Sequence, residues 1–267
     1  MNHLPSAVTL CEVGLRDGLQ NEKTILPTEK KVELLRGLAG AGFRVIEVGS
    51  FMHPKAVPQM ADTDEGYKAV GELPGVELRG LIPNLRGVKR AVECGCKKVK
   101  LNVSASRQHN LKNLNMTPEE SVAGFAGCVQ AAGENGIAIS GSISMPFASP
   151  WEGRIPLADV EAIIEAYLKV GITEISLSDA SGMAVPNQVY QLCAHVGDKY
   201  PQVSWWLHFH NTRGLAMANI MAAMEAGMTQ FDSSFGGLGG CPFVPGAAGN
   251  ISTEDVLNMC DEMGIET

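Results

Sequence analysis

The chain has 267 residues, 45% of them hydrophobic, with a formal net charge of −8 and a pI near 5.3. That size suits one large domain and is common for α/β barrels, while the acidic balance argues against nucleic acid or an anionic membrane as a partner. No apolar run reaches the ~20 residues needed to span a bilayer, no secretory signal opens the sequence, and seven cysteines without a regular framework fit free thiols in a reducing cytoplasm.

Taken in order, the sequence repeats one pattern eight times: a short apolar or β-branched run, a loop, then a segment of helical period. The runs predicted as strands are 8–13, 44–49, 77–82, 98–103, 138–144, 174–178, 204–210 and 230–234. Helix starts stand between them: Pro27-Thr28 before 29–38, Thr117-Pro118-Glu119-Glu120 with an N-cap and a first-turn proline, and Thr253-Glu254-Asp255. Glycines punctuate the expected helix ends at Gly40, Gly42, Gly95, Gly136, Gly171, Gly227 and Gly264. Strands alternating with helices imply right-handed βαβ units and a parallel sheet. Eight such units, with no dinucleotide fingerprint after the first strand, favour a closed (β/α)8 TIM barrel over an open sheet, with residues 1–267 as a single catalytic domain.

In such a barrel, chemistry sits at the C-terminal ends of the strands. Polar residues gather there: Arg16-Asp17 after the first strand, Glu47 on the second, Asp179 on the sixth, His208 and His210 on the seventh, Asn250 beyond the eighth. His208 and His210, two apart, share one face of a strand. Alone, each of these residues has an ordinary structural use: a turn cap, a strand-end ion pair, a core histidine. Together on one rim, Asp, two His and Asn form an oxygen-and-imidazole set suited to Mg²⁺ or Mn²⁺. Cys241 lies in Gly-Gly-Leu-Gly-Gly-Cys-Pro, a run that disfavours regular structure. A thiol on an irregular loop near such a rim is a candidate acid/base or nucleophile.

Arg16-Asp17-Gly18-Leu19-Gln20-Asn21-Glu22, His208-x-His210 and Gly237-Leu238-Gly239-Gly240-Cys241-Pro242 together resemble the 3-hydroxy-3-methylglutaryl-CoA (HMG-CoA) lyases, metallolyase barrels related to isopropylmalate and homocitrate synthases. The resemblance runs over nearly the whole chain and includes Ile46-Glu47-Val48-Gly49-Ser50-Phe51. It implies an acyl-CoA substrate and retro-aldol (retro-Claisen) cleavage of HMG-CoA, with Asp17, His208, His210 and Asn250 holding the divalent cation. By the same resemblance Asp17 or His208 would serve as base, Arg16 would stabilise the enolate and Cys241 would protonate the acetyl-CoA carbanion. Gln20, Glu47 and Asp179 would form the supporting polar shell, with Lys23 a contact for the CoA phosphates. A homodimer is the assembly such barrels often form.

The sequence departs from the family at several points: Leu15 replaces a proline, Asn211-Thr212-Arg213-Gly214 stands for Asp-Thr-Tyr-Gly, Ser104-Ala105-Ser106-Arg107 for Ser-Ala-Ser-Glu, and 145–151 replaces a Phe-Gly-Cys-Pro-like turn. Two of these changes are expected to bring Arg107 and Arg213 near the pocket mouth, where arginine forks suit carboxylates and phosphates. Citramalyl-CoA cleavage and a Claisen-condensing synthase are therefore the alternative readings.

Overall fold

A computed structural model describes residues 4–240 and 249–267. Eight parallel strands close into a barrel in sequence order: β1 (Thr9–Glu12), β2 (Val45–Ser50), β3 (Glu77–Ile82), β4 (Lys98–Ser104), β5 (Ala138–Ser144), β6 (Glu174–Asp179), β7 (Ser204–Phe209) and β8 (Gln230–Ser233). β3 and β5 occupy their predicted spans, and the others differ by a residue at one or both ends. The predicted α/β class and TIM barrel are therefore observed. His210 lies just beyond β7, in an antiparallel bridge to Asn250.

The helices bury apolar stripes against the outside of the barrel. In Leu157–Lys169 the buried residues Val160, Ile163, Ile164 and Tyr167 follow the helical repeat. Tyr167 then reaches between strands, donating its hydroxyl to the Leu101 carbonyl at 2.8 Å and stacking on Phe125 with centroids 4.4 Å apart. The predicted start at Thr117 is a complete capping box with Glu120. Left-handed glycines end helices at Gly95, Gly136, Gly171, Gly227 and Gly264. Two features were not foreseen: the β4–β5 connection holds three helices, and a short hairpin pairs Ala148–Ser149 with Gly153–Arg154. No helix among the described residues is long and apolar enough to cross a membrane.

Inside the barrel a small apolar cluster of Cys11, Val13 and Trp206 is joined by charged side chains where bulky branched residues commonly fill such cores. On β4, Val99, Leu101 and Val103 join the outer apolar cluster, while Lys100 turns inward to Glu47 and Asp232. One end of the barrel is plugged by ion pairs: Lys98 meets Glu174 at 2.6 Å and Glu77 at 3.1 Å, and the Arg79 guanidinium lies 4.3 Å above the Trp206 ring. The cavity lies at the other end, where the strands finish.

Candidate metal centre and active site

After β1 the backbone makes one wide turn, Gly14–Gly18, in which the amides of Arg16, Asp17 and Gly18 all donate to the Val13 carbonyl, at 3.0, 2.7 and 3.3 Å. Such π-turns are frequent at functional sites. Here the turn buries both Arg16 and Asp17 against the strand ends. The Arg16 guanidinium forms close ion pairs with Glu47 on β2 and with Asp17 Oδ1. Gln20 donates to the same Asp17 oxygen at 2.9 Å. With Oδ1 occupied, Asp17 Oδ2 faces His210 Nε2 at 3.3 Å and His208 Nε2 at 3.8 Å.

The two imidazoles meet Nε2 to Nε2 at 3.1 Å. His208 Nδ1 stands 3.1 Å from Asp232 Oδ2 on the neighbouring strand. That carboxylate selects the Nδ1–H tautomer and leaves a bare lone pair on His208 Nε2. Asn250 donates to Asp17 Oδ2 at 2.8 Å and to the Leu238 carbonyl at 2.9 Å. Gly239, with φ +129°, passes so close to this amide that any Cβ there would collide with it.

Beneath these groups lies a buried charge chain. Lys100 Nζ bridges Glu47 Oε2 at 2.7 Å and Asp232 Oδ2 at 3.2 Å. Burial works against the charged form of every member, but the opposite charges win. The Arg16 guanidinium and the two histidines hold the Asp17 carboxyl well below the usual carboxylate range. Arg16 and Lys100 lower Glu47, Lys100 and His208 lower Asp232, and the Lys100 ammonium is raised by its two carboxylates.

Asp17, His208 and His210 could hold a metal ion, because one ligand atom from each lies within 4.8 Å of the others. The donor set fits the implied cation. Two imidazole Nε2 atoms and a carboxylate oxygen face one another, the tautomer of His208 is fixed from behind, and His210 Nδ1 is buried with no hydrogen-bond partner among the described residues.

The HMGL-like family matches residues 7–267. The mitochondrial hydroxymethylglutaryl-CoA lyase of Mus musculus is 40% identical over 100% of this chain and 82% of its own length. An HMG-CoA lyase from Acinetobacter baumannii, solved with coenzyme A and 3-methylmalate, superposes with a TM-score of 0.94 at 44% identity, covering 100% of this chain and 87% of that one. The corresponding enzyme from Pseudomonas aeruginosa gives 0.93 at 38% identity, covering 99% and 88%. The chain belongs to the HMGL-like family. It is a carbon–carbon lyase.

The HMGL-like barrel brings Arg16, Asp17, Gln20, Glu47, His208, His210 and Asn250 together. Asp179 is buried, but its carboxylate accepts from Met183 N at 3.1 Å, Ala184 N at 3.0 Å and Ser181 Oγ at 3.0 Å, and so organises its own loop. It reaches the site through its backbone, whose carbonyl accepts from His210 N at 3.3 Å. Lys23 is exposed, next to Glu22, whose carbonyl accepts from Gln59 at 2.7 Å. Cys241 lies outside the described residues.

The expectation for the arginines is corrected. Arg107 turns to Glu119 at 3.0 Å on the surface, because the helix it opens gives the cavity the face carrying His109 and Asn113 and leaves Arg107 on another. Arg213 is exposed, and neither arginine lines the cavity of about 380 Å³ above the barrel. Sequence reading missed Lys100, Asp232 and Glu12. The usable signal for Lys100 was a lysine in phase with Asn102 along a strand whose alternate residues are apolar.

Glu12 ties the rim together. Its Oε1 accepts from Gly14 N at 2.7 Å and Phe235 N at 3.1 Å, and its Oε2 meets the Thr253 hydroxyl at 2.7 Å. Burial pushes its carboxyl up to about 7, against the lowering effect of those donors. A folded pKa above the unfolded value means stability that is full below about pH 4.5 and lost as pH rises through 7. Glu12→Gln keeps the neutral shape, so the variant should gain on the wild type between pH 4.5 and 7.5, by about 3 kcal/mol at most. Urea melts at both pH values check this, and a constant difference would contradict it.

Proposed function

We propose that this HMGL-like lyase cleaves HMG-CoA to acetyl-CoA and acetoacetate by a retro-Claisen step that depends on Mg²⁺ or Mn²⁺. The observation that carries the reading is the convergence of Arg16, Asp17, His208 and His210 on one cavity, in a chain 40% identical over its full length to an HMG-CoA lyase. Asp17, His208 and His210 would hold the cation, joined by Asn250 with its amide turned to present oxygen in place of the nitrogen that faces Asp17, and the cation would supply Lewis-acid polarisation and orientation of the substrate's C3 hydroxyl and carboxylate oxygens.

Of the two bases the resemblance implies, Asp17 is the one that can take the proton of the C3 hydroxyl, since His208 has its Nδ1–H on Asp232 and its Nε2 lone pair committed to the cation. The C2–C3 bond then breaks, C3 becomes the ketone of acetoacetate, and the electron pair passes to the thioester as an enolate. Arg16 lines the cavity, and its Nη2 makes no hydrogen bond among the described residues, so it is available to the enolate oxygen. Glu47 and Gln20 keep Arg16 and Asp17 in place. Cys241 delivers a proton to C2 and releases acetyl-CoA. Lys23 contributes a charge for the CoA phosphates. Six described cysteines are buried and free, which supports a reducing compartment such as the cytoplasm.

The test is acetyl-CoA release from HMG-CoA with Mg²⁺ or Mn²⁺. Turnover should disappear with EDTA, return on adding back the cation, and fall at least a hundredfold in Cys241→Ser. Cleavage that persists at full rate in EDTA would overturn the metal-dependent reading.

A further inference from the structure

We propose that Asn102, Ser142, Ser144 and Ser178 form a subsite that binds the free carboxylate of the acyl group, beside the cation ligands. The inference rests on the reading that this cavity cleaves a hydroxyacyl-CoA, and it assigns the part of the site that recognises the acid end.

All four residues line the cavity and are buried, the most exposed being Ser178 at 9%. They form a continuous wall. Across the sheet Ser144 on β5 pairs with Ser178 on β6, and Ser178 pairs with His208 on β7. Neighbouring strands stand about 4.8 Å apart, so the wall begins one strand from a metal ligand. Asn102 on β4 pairs with Ser142 in the adjoining row.

The hydrogen bonds set the polarity of this wall. Ser144 Oγ donates to Asn102 Oδ1 at 2.9 Å, which leaves the Asn102 amide NH₂ as the free end. Among the described residues neither that NH₂ nor the hydroxyls of Ser142 and Ser178 donates to a protein acceptor. Deeper in the barrel, Ser176 Oγ is buried with no partner among the described residues. These donors face the cavity instead of protein acceptors, so the wall fits a ligand rich in acceptors.

A carboxylate, with about four lone-pair positions, can use three donors at once, whereas a methyl group would strand them. Lys100, one alternation below Asn102, is neutralised by Glu47 and Asp232, so the wall recognises the acid through its neutral donors. The acid can stand on the carbinol carbon, as in citramalyl-CoA, or one methylene away, as in HMG-CoA. Both present the same chemistry to the wall.

The test uses the full chain with Mg²⁺ and two variants, Ser142→Ala/Ser178→Ala and Asn102→Asp. Calorimetry measures binding of Mg²⁺, of CoA and, with both present, of 3-methylmalate. Kinetics follow cleavage of HMG-CoA and citramalyl-CoA. The double alanine variant should weaken 3-methylmalate about tenfold or more and raise KM for the cleaved acyl-CoA by a similar factor, with kcat changing less. Mg²⁺ and CoA affinities should stay within twofold. Asn102→Asp, which places a like charge against the acid, should weaken diacid binding further.

The acyl-CoA whose KM rises is the one whose acid reaches the wall. Diacid binding and KM within twofold of the wild type in both variants would overturn the subsite, even with the lyase intact. Donor-dependent diacid binding without cleavage of either acyl-CoA would keep the subsite and overturn the proposed cleavage of these hydroxyacyl-CoAs.

Discussion

Lys100→Met is expected to destabilise the protein by about 3–5 kcal/mol at pH 7, the cost of removing one partner from a buried ionic cluster. Lys100 bridges Glu47 and Asp232, all three of them almost wholly buried. Methionine fills the space of the stem but leaves two carboxylates facing each other across the barrel. Both carboxyls have depressed pKa values in the native state, with Lys100 among the causes. Their stabilising effect is present above the ordinary carboxyl range and is lost as pH falls through the depressed values. Without Lys100 that effect shrinks, so the deficit should be largest near neutrality and narrow as the pH drops toward 4. Urea denaturation at pH 7 and pH 4.5 measures both. Adding Glu47→Gln to the variant should restore part of the loss, since one of the stranded charges is gone. A deficit below about 1 kcal/mol at pH 7 would mean that the lysine is not holding the two acids.

The second large effect concerns His208. His208→Ala should abolish measurable Mn²⁺ binding and lower turnover at least about a thousandfold, equivalent to ~4 kcal/mol of barrier. The geometry makes this residue central: Nε2 faces His210 and Asp17, while Nδ1 is fixed by Asp232. Asp232→Asn should be milder, costing 10–100-fold in affinity or rate, because it disturbs the tautomer without removing the ligand. Titration of each variant with Mn²⁺, followed by calorimetry, separates the two effects. A His208→Ala variant with full turnover would show the assigned centre to be wrong.

These two predictions differ in how far the sequence alone supports them. His208 and His210 announce themselves by spacing at the end of an apolar run, and Asp17 by its place beside Arg16 before a glycine. The eight strands were legible because each is a compact apolar run set between turn residues. Lys100 and Asp232 were not. The alternation on β4 sets Lys100 in phase with Asn102, but which acids on other strands it meets, Glu47 and Asp232, follows only from barrel closure. The turn at Gly14–Gly18 depends on a single carbonyl taking up three amides, a pattern with no composition of its own. Arg107 was misplaced for a related reason: adjacency to a strand end does not say which face of the next helix a residue will occupy. His109 and Asn113 of that helix line the cavity, while Arg107 pairs with Glu119 at the surface.

The ring of strands is closed by its first and last members. β1 pairs with β8 over four residues, and Val8 N donates to the Glu266 carbonyl at 2.8 Å. The centre spans that same seam. Asp17 and Asn250, which touch at its heart, are separated by 233 positions. A ribosome therefore makes the carboxylate of this site almost the whole chain before the amide that meets it. Contacts of such long range form late, after the helices between them have condensed. The chemistry is thus withheld until the last strand has emerged and docked. Cation affinity during synthesis would report completion of the seam rather than growth of the chain.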